Sequence, residues 1–318
     1  MNTVESIFSS IQTMQVPQNE QYSLSKIELS EAGVYYGKNS DGHSVFAMVS
    51  QNTQLRASVQ KTKKLVFWFN AICDIVADGA HSETTMNVLT CLSNDENEIL
   101  AFVRLTLAFI EGAEEQSPRR LYELFTALTN LFASAHKANQ VELQGFYGEL
   151  YAIKYFYQLG INLSDYWQKK EKMKFDFSIS AQKKVEIKST IKDVRIHHFR
   201  HEQLLSDLYD ICIVSIMLRT DEQGLSLLDL VRYVQEIAAN NFDTLIYIED
   251  FVKNFDEAEL NNIKYDTKYT DRTLHIYKAT AIPRFEQEQP HGVSKTEYDS
   301  DLTNSDPMST TDFADWIQ

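Results

Sequence analysis

Two spacings of apolar residues alternate along the 318-residue chain, and their order predicts its organisation. Residues 1–20 read as a loosely held, flexible arm. From Tyr22 to about Gln54, strand-like stretches (Ser23–Leu29 and Val45–Val49) flank Lys38-Asn-Ser-Asp-Gly42, a strong hairpin-turn sequence. Lys64–Asn70 and Thr84–Cys91 read as further strands, so an antiparallel β region is expected over roughly 20 to 92. A helical period then takes over. Asn94 or Asp95 caps a helix running to about Gly112, with Ile99, Phe102, Val103, Leu107 and Ile110 on one face. Ser117-Pro118 opens a second helix carrying Leu121, Leu124, Phe125, Leu128, Leu131 and Phe132. Polar Lys137-Ala-Asn-Gln140 marks a boundary between two parts.

Beyond it, a third helix is predicted from about Val141 to Gln158, stopped by Gly160. Its stripe is Leu143, Phe146, Leu150, Ile153 and Tyr157, and Glu149 falls on or beside that stripe. A carboxylate there is costly unless it is paired or metal-bound. Pairing with a core lysine and a role in a site both remain open for it. Asp210–Arg219 is nearly all apolar, as in a strand buried on both faces. Ser226 caps a helix with Leu227, Leu230, Val231, Val234 and Ile237, and two more strands are expected at Asp243–Glu249 and Thr273–Thr280. The last 15 or so residues, rich in Asp, Ser and Thr, are expected to be disordered, with Phe313 and Trp316 available to a partner.

The fold class is therefore α+β: an N-terminal antiparallel β region with helices, then a mixed sheet flanked by helices. A hydrophobic content of 43% suits a soluble globular chain. The most apolar run, Ile99–Ile110, is short and broken by Arg104, which excludes a membrane span, and the first residues lack the features of a signal peptide. Cys73, Cys91 and Cys212 are odd in number and widely spaced, as expected of buried free thiols in a reducing cytoplasm.

The formal charge of −15 argues against simple polyanion binding, but the charge is unevenly placed. Glu286–Gln318 holds eight acids and one base, whereas Gln168–Arg200 holds ten bases and four acids. Lys169, Lys170, Lys172, Lys174, Lys183, Lys184, Lys192, Arg195, His197, His198 and Arg200 are thus candidates for contact with a nucleic-acid backbone.

The same segment carries the chemistry. Phe175-Asp176-Phe177-Ser178 and Val185-Glu186-Ile187-Lys188-Ser189-Thr190 flank the short polar Ala181-Gln-Lys-Lys184, a hairpin. Val185, Ile187 and Ser189 take one face of the second strand; Glu186, Lys188 and Thr190 take the other. Asp176 points away from Phe175 and Phe177. Two carboxylates and an amine then project from one surface. Hard oxygen ligands of this kind suit Mg²⁺, which binds through one or two carboxylates and keeps its waters. His197, His198 and His201 lack cysteine partners and a clear ligand face, so phosphate contact or plain surface is favoured over zinc. Gln203 either hydrogen-bonds a phosphate or site water, or only caps its helix.

Asp176, Glu186-Ile187-Lys188 and the upstream Glu149 resemble the PD-(D/E)XK signature of restriction-like endonucleases. With Gly148-Glu149-Leu150, Gln203-Leu204 and Ile282-Pro283-Arg284, the chain resembles the PD-(D/E)XK motif proteins of prokaryotic phage-defence islands over roughly residues 20 to 300. Phe175 stands where the signature has Pro. The resemblance implies a Mg²⁺-dependent DNA endonuclease, with Mn²⁺ able to substitute. Asp176, Glu186, Glu149 and the Ile187 carbonyl would be metal ligands; Lys188 and Gln203 would complete the catalytic set. It also implies a 138–285 nuclease-like core after a 21–137 β/α region, with 286–318 as an acidic tail. Partner ATPase subunits follow from the same resemblance, and homo-oligomerisation stays open. A catalytically silent scaffold or DNA-clamping subunit of the same fold is the alternative.

Overall fold

The structure is a computed structural model that describes all residues except 1–2, 18–21, 28–32, 52–55, 78–79, 112–117, 134–136, 168–173, 206–207, 287–290 and 294. The elements of the first half are α1 (Val4–Thr13), β1 (Tyr22–Lys26), β2 (Val34–Asn39), β3 (Ser44–Val49), β4 (Ser58–Lys61), β5 (Leu65–Ala77), β6 (Ala80–Cys91), α2 (Glu96–Glu111), α3 (Pro118–Ala133) and α4 (Gln140–Gln158). Then come β7 (Phe177–Ser178), β8 (Lys183–Thr190), β9 (Ile196–Arg200), β10 (Asp210–Met217), β11 (Thr220–Ser226), α5 (Leu227–Ile237) and α6 (Phe242–Val252). Last are α7 (Glu257–Asn261), β12 (Lys264–Tyr265), α8 (Thr267–Thr273), β13 (His275–Lys278), β14 (Glu297–Asp301) and α9 (Thr310–Ile317). The fold is α+β with a mixed-sheet core, as the sequence predicts. Among the described residues no helix is long and apolar enough to cross a membrane.

The chain divides into two units, Met1–His136 with Ala239–Lys253, and Lys137–Ala238 with Asn254–Gln318. In the first, the strands run β1-β2-β3-β6-β5-β4, and a short parallel pairing of β1 with β5 turns the sheet back on itself. Leu24, Val45, Ala47, Cys73, Ile75, Met86 and Val88 fill one side. Val34, Tyr36, Phe46, Met48, Leu65, Phe67 and Leu89 face the helices on the other. Successive β3 residues enter opposite cores, which is why Val45–Met48 is buried throughout. The Lys38–Gly42 turn forms as read: Asn39 Oδ1 accepts the Asp41 and His43 N–H groups, and Gly42 takes φ +82°. Asp95, not Asn94, caps α2.

Two expectations fail in this unit. The N-terminal arm contains a helix, α1, whose Ile7 and Ile11 are buried in the core. Asp243–Glu249 is helical rather than extended. Asn241 caps α6, and Leu245, Ile248 and Glu249 share a buried face. A short β-branched apolar run fits either period, and burial decided for the helix. The 239–253 segment therefore belongs with the first unit and interrupts the expected 138–285 core.

In the second unit the sheet order is β13-β10-β8-β7, with β8 parallel to β10 and the outer pairs antiparallel. β10 is buried from Ile211 to Met217, as expected of a central strand. An Asn139–Glu142 capping box starts α4, and Gly160 ends it at φ +85°. The helix lies close on β8: a Cβ on Gly148 would come 2.9 Å from Ser189 Cβ. Only glycine allows this approach, and it sets the height of Glu149 above the sheet. The end of the tail, expected to be largely disordered, is folded. β14 pairs with β9, and α9 sets fully buried Phe313 against Phe156 with ring centroids 4.7 Å apart. Trp316 donates its indole N–H to Asp210 at 2.6 Å and lies under Lys278. Asp and Ser in the tail act as caps and turns, so its polar composition does not imply disorder.

Candidate active site

The site grows from the place where β7 stops. Phe177 pairs with Val185 and Ser178 with Lys184; the next position would set Asp176 against Glu186. There the ladder ends, and Asp176 Oδ2 accepts the Ile187 N–H at 2.7 Å instead. The N–H and C=O of one strand residue point to the same edge, so the Ile187 carbonyl is directed to this open edge too. Its side chain projects out of the sheet, toward Gly148 on α4.

Glu186 is buried, with 4% of its surface exposed. Its Oε1 accepts from Lys188 Nζ at 2.8 Å and from Gln203 Nε2 at 2.5 Å. Lys188 also donates to Gln203 Oε1 at 3.1 Å, which closes a three-residue ring of polar contacts. The ring is fixed from outside by the Arg200 backbone N–H on Gln203 Oε1 and by the Phe199 face beneath Lys188. Glu186 Oε2 is buried with no hydrogen-bond partner. An orphaned carboxylate oxygen in a dry setting is costly, and a cation is the natural means of satisfying it.

Glu149 approaches from α4. Its Oε2 accepts the Trp167 indole N–H at 2.7 Å, while the Trp167 ring stacks between Phe146 and Phe177. Burial pushes the Glu149 carboxyl up to about 7; the Trp167 hydrogen bond opposes this, the Glu186 charge adds to it and Lys188 opposes it. Burial first, and then the Glu186 and Glu149 charges, hold the Asp176 carboxyl well above its usual range, against the Ile187 N–H and Lys188. Three acids share one amine here. The cluster therefore lacks positive charge.

A cleft of about 340 Å³ opens on this cluster, lined by Lys174, Asp176, Glu186, Lys188, His198, Arg200 and Gln203. Among the described residues no three His, Cys, Asp or Glu side chains converge into a closed metal cage. The donors fit Mg²⁺ in a more open way: Asp176, the free Glu186 oxygen and the Ile187 carbonyl on one edge, with room for water. Glu149 is not among the residues lining the cleft and acts on it through charge.

The basic candidates separate. Lys174, His198 and Arg200 are exposed at the cleft, and Lys174 pairs with Glu202 at 2.6 Å. Lys192 is exposed beyond the end of β8. Lys184 donates to the Ser180 carbonyl at 2.8 Å, bracing the hairpin turn, and Lys183 lies near the Trp316 ring. Two proposed backbone contacts are corrected. Arg195 is buried, and its guanidinium holds Ser215 and the Thr273 carbonyl, tying β10 to the end of α8. His197 is buried against Ser215 Oγ at 2.6 Å, and burial, with Arg195 and Lys188, pushes it down to about 3. Both face inward because alternation on β9 sends His197 and Phe199 to the core and leaves His198 and Arg200 outside. Lys169, Lys170 and Lys172 lie outside the described residues.

Sequence reasoning missed Trp167. Its only local signal is a 3-10 turn at Leu163–Tyr166, capped by Asn162, that delivers it to β7. No family model matches the chain, and no curated protein and no solved structure matches it either.

Proposed function

We propose that this chain is a metal-dependent nuclease of the PD-(D/E)XK kind, acting on DNA. The observation that carries the reading is the buried, unpartnered Glu186 Oε2 beside Asp176, with Lys188 fixed between Glu186 and Gln203. Asp176, Glu186 and the Ile187 carbonyl would hold Mg²⁺ or Mn²⁺. Such an ion, when bound, lowers the pKa of a coordinated water and offsets charge on phosphate oxygens.

The chain's own groups do the rest. Lys188 Nζ has its position set by Glu186 Oε1 and Gln203 Oε1, so it can orient a water at the cleft and hold a proton close to it. Gln203 donates to Glu186 and accepts from Lys188, which keeps both side chains in one arrangement and aims the free Glu186 oxygen. Trp167 orients Glu149 behind them. Lys174 and Arg200 supply positive charge around the opening for a phosphate backbone, and the His198 imidazole offers a ring nitrogen to it. A role within a phage-defence assembly, delivered or licensed by ATPase partners, is proposed on the sequence resemblance and accords with the net charge of −15.

A second reading, a silent scaffold of the same fold, is favoured by the net charge of −15, which opposes polyanion binding. One experiment separates the two. Plasmid DNA, linear duplex and RNA are incubated with the protein and its cognate partners in Mg²⁺ or Mn²⁺, beside Asp176→Ala. Cleavage by wild type that Asp176→Ala loses supports the nuclease. No cleavage, or cleavage equal in both proteins, overturns it; cleavage of RNA alone would change the substrate.

A further inference from the structure

The rim of the cleft carries its own counter-charge. β14 runs antiparallel to β9 in a register that sets Glu297 opposite Arg200 and Asp299 opposite His198. All four side chains are on the solvent face. Asp299 Oδ1 is 3.0 Å from His198 Nδ1, and Glu297 Oε2 is 3.4 Å from His198 Nε2. Glu297 Oε1 is 3.4 Å from Arg200 Nε. His198 and Arg200 are the same two side chains that line the cleft.

The strand bearing these acids is firmly held. Ser300 and Leu302 are buried, Ser300 Oγ donates to the Pro283 carbonyl at 2.6 Å, and Tyr298 packs against Phe285 and His201. The acidic side chains are not. Glu297 and Asp299 are 43% and 66% exposed, and exposed ion pairs of this kind add little to stability. A fixed strand thus presents two weakly held carboxylates to the Arg200 guanidinium and the His198 imidazole, which border a cleft containing an unpartnered buried carboxylate oxygen.

We propose that the acidic face of β14 is a built-in competitor of a polyanionic substrate: Glu297 and Asp299 occupy Arg200 and His198, and a nucleic-acid backbone docks on β9 by exchanging with them. The inference rests on the proposed nucleic-acid reading and adds to it a control on affinity. β14 itself stays paired; only its side chains give way. The device lowers affinity for any passing polyanion and leaves tight docking to conditions that neutralise or displace the two acids.

The test is binding of a fluorescein-labelled DNA duplex of about 30 base pairs, read by anisotropy without divalent metal over a range of salt. Wild type is compared with Glu297→Gln/Asp299→Asn and with a control of equal charge change in the first unit, Asp74→Asn/Glu83→Gln. The β14 variant is expected to bind on the order of tenfold tighter at low salt, with a salt dependence steeper by about 1 to 2 in the log–log slope. Adding His198→Ala and Arg200→Ala to that variant should remove the gain. Equal affinity in wild type and the β14 variant, or a gain matched by the control, overturns the proposal. Because no metal is present, the outcome is separate from cleavage. Duplex that binds and responds but is never cut sinks the nuclease reading alone; duplex that is cut but bound equally by all variants sinks the competitor alone.

Discussion

The carboxylate of Asp176 accepts the backbone N–H of Ile187 at 2.7 Å, one position past the last paired residues of β7 and β8. The side chain thus finishes a ladder that the backbone has left. It also puts a second carboxyl group beside Glu186 on the strand's open edge. One contact terminates the sheet and builds the site.

That crowding sets a pH dependence. The Glu149 carboxyl rises from its ordinary 4.5 to about 7, and Asp176 rises well above its usual range. Between the unfolded and folded pKa values of these two carboxyls the folded chain holds more of their protons, so their contribution to metal-free stability is fully present below the unfolded values and is lost as pH rises through about 7. Calorimetric melting of wild type should show this decline, and Asp176→Asn should flatten it and melt higher at about pH 8. Mg²⁺ should raise the melting point of wild type and leave the variant unchanged. Parallel curves for the two proteins would refute the charge cluster.

Lys188→Met keeps the aliphatic stem on Phe199 and removes the donor to Glu186 and Gln203. Single-turnover cleavage is expected to fall by roughly 10²- to 10⁴-fold. Mg²⁺ affinity, measured by titration calorimetry, should hold or increase, since a competing positive charge is gone. Loss of metal binding would move Lys188 from chemistry to site assembly.

Trp167→Phe keeps an aromatic ring between Phe146 and Phe177 and deletes the N–H held by Glu149. A hydrogen bond to a charged group is worth about 1.5–3 kcal/mol, so urea unfolding should reveal a penalty of that order at about pH 8. The penalty should shrink near pH 5, where Glu149 is protonated in the folded chain. A pH-independent loss would mean that the ring alone matters.

Phe313→Ala tests the ordered C-terminus. Phe313 is fully buried between Phe156 and Trp316, and its removal should cost about 3–5 kcal/mol in urea unfolding. Trp316 fluorescence follows the same transition. An unchanged midpoint would mean that α9 contributes nothing to the fold.

Much of the architecture was legible in the chain. The apolar β10 run shows its burial in composition alone, and the Asn39–Gly42 turn, the Asp95 and Ser226 caps and the Gly160 stop each rest on contacts among near neighbours. So does the hairpin that places Asp176, Glu186 and Lys188 on one surface, because a two-residue alternation fixes which side chains share a face. The segments misread are those whose neighbours are remote. Phe242–Val252 fits a strand or a helix until Arg104 and the first unit's core claim one of its faces. Thr310–Ile317 looks too polar to fold until Phe156 receives Phe313.

Within the site the same division holds. Sequence alone determined which residues carry the charge and which of them alternate together, since both are properties of a short stretch. It could not tell that Arg195 and His197 turn inward to Ser215, that Trp167 orients Glu149, or that β14 lays Glu297 and Asp299 over Arg200 and His198. Those pairings join residues about 18 to 100 positions apart, and burial together with strand register, rather than local preference, decides them.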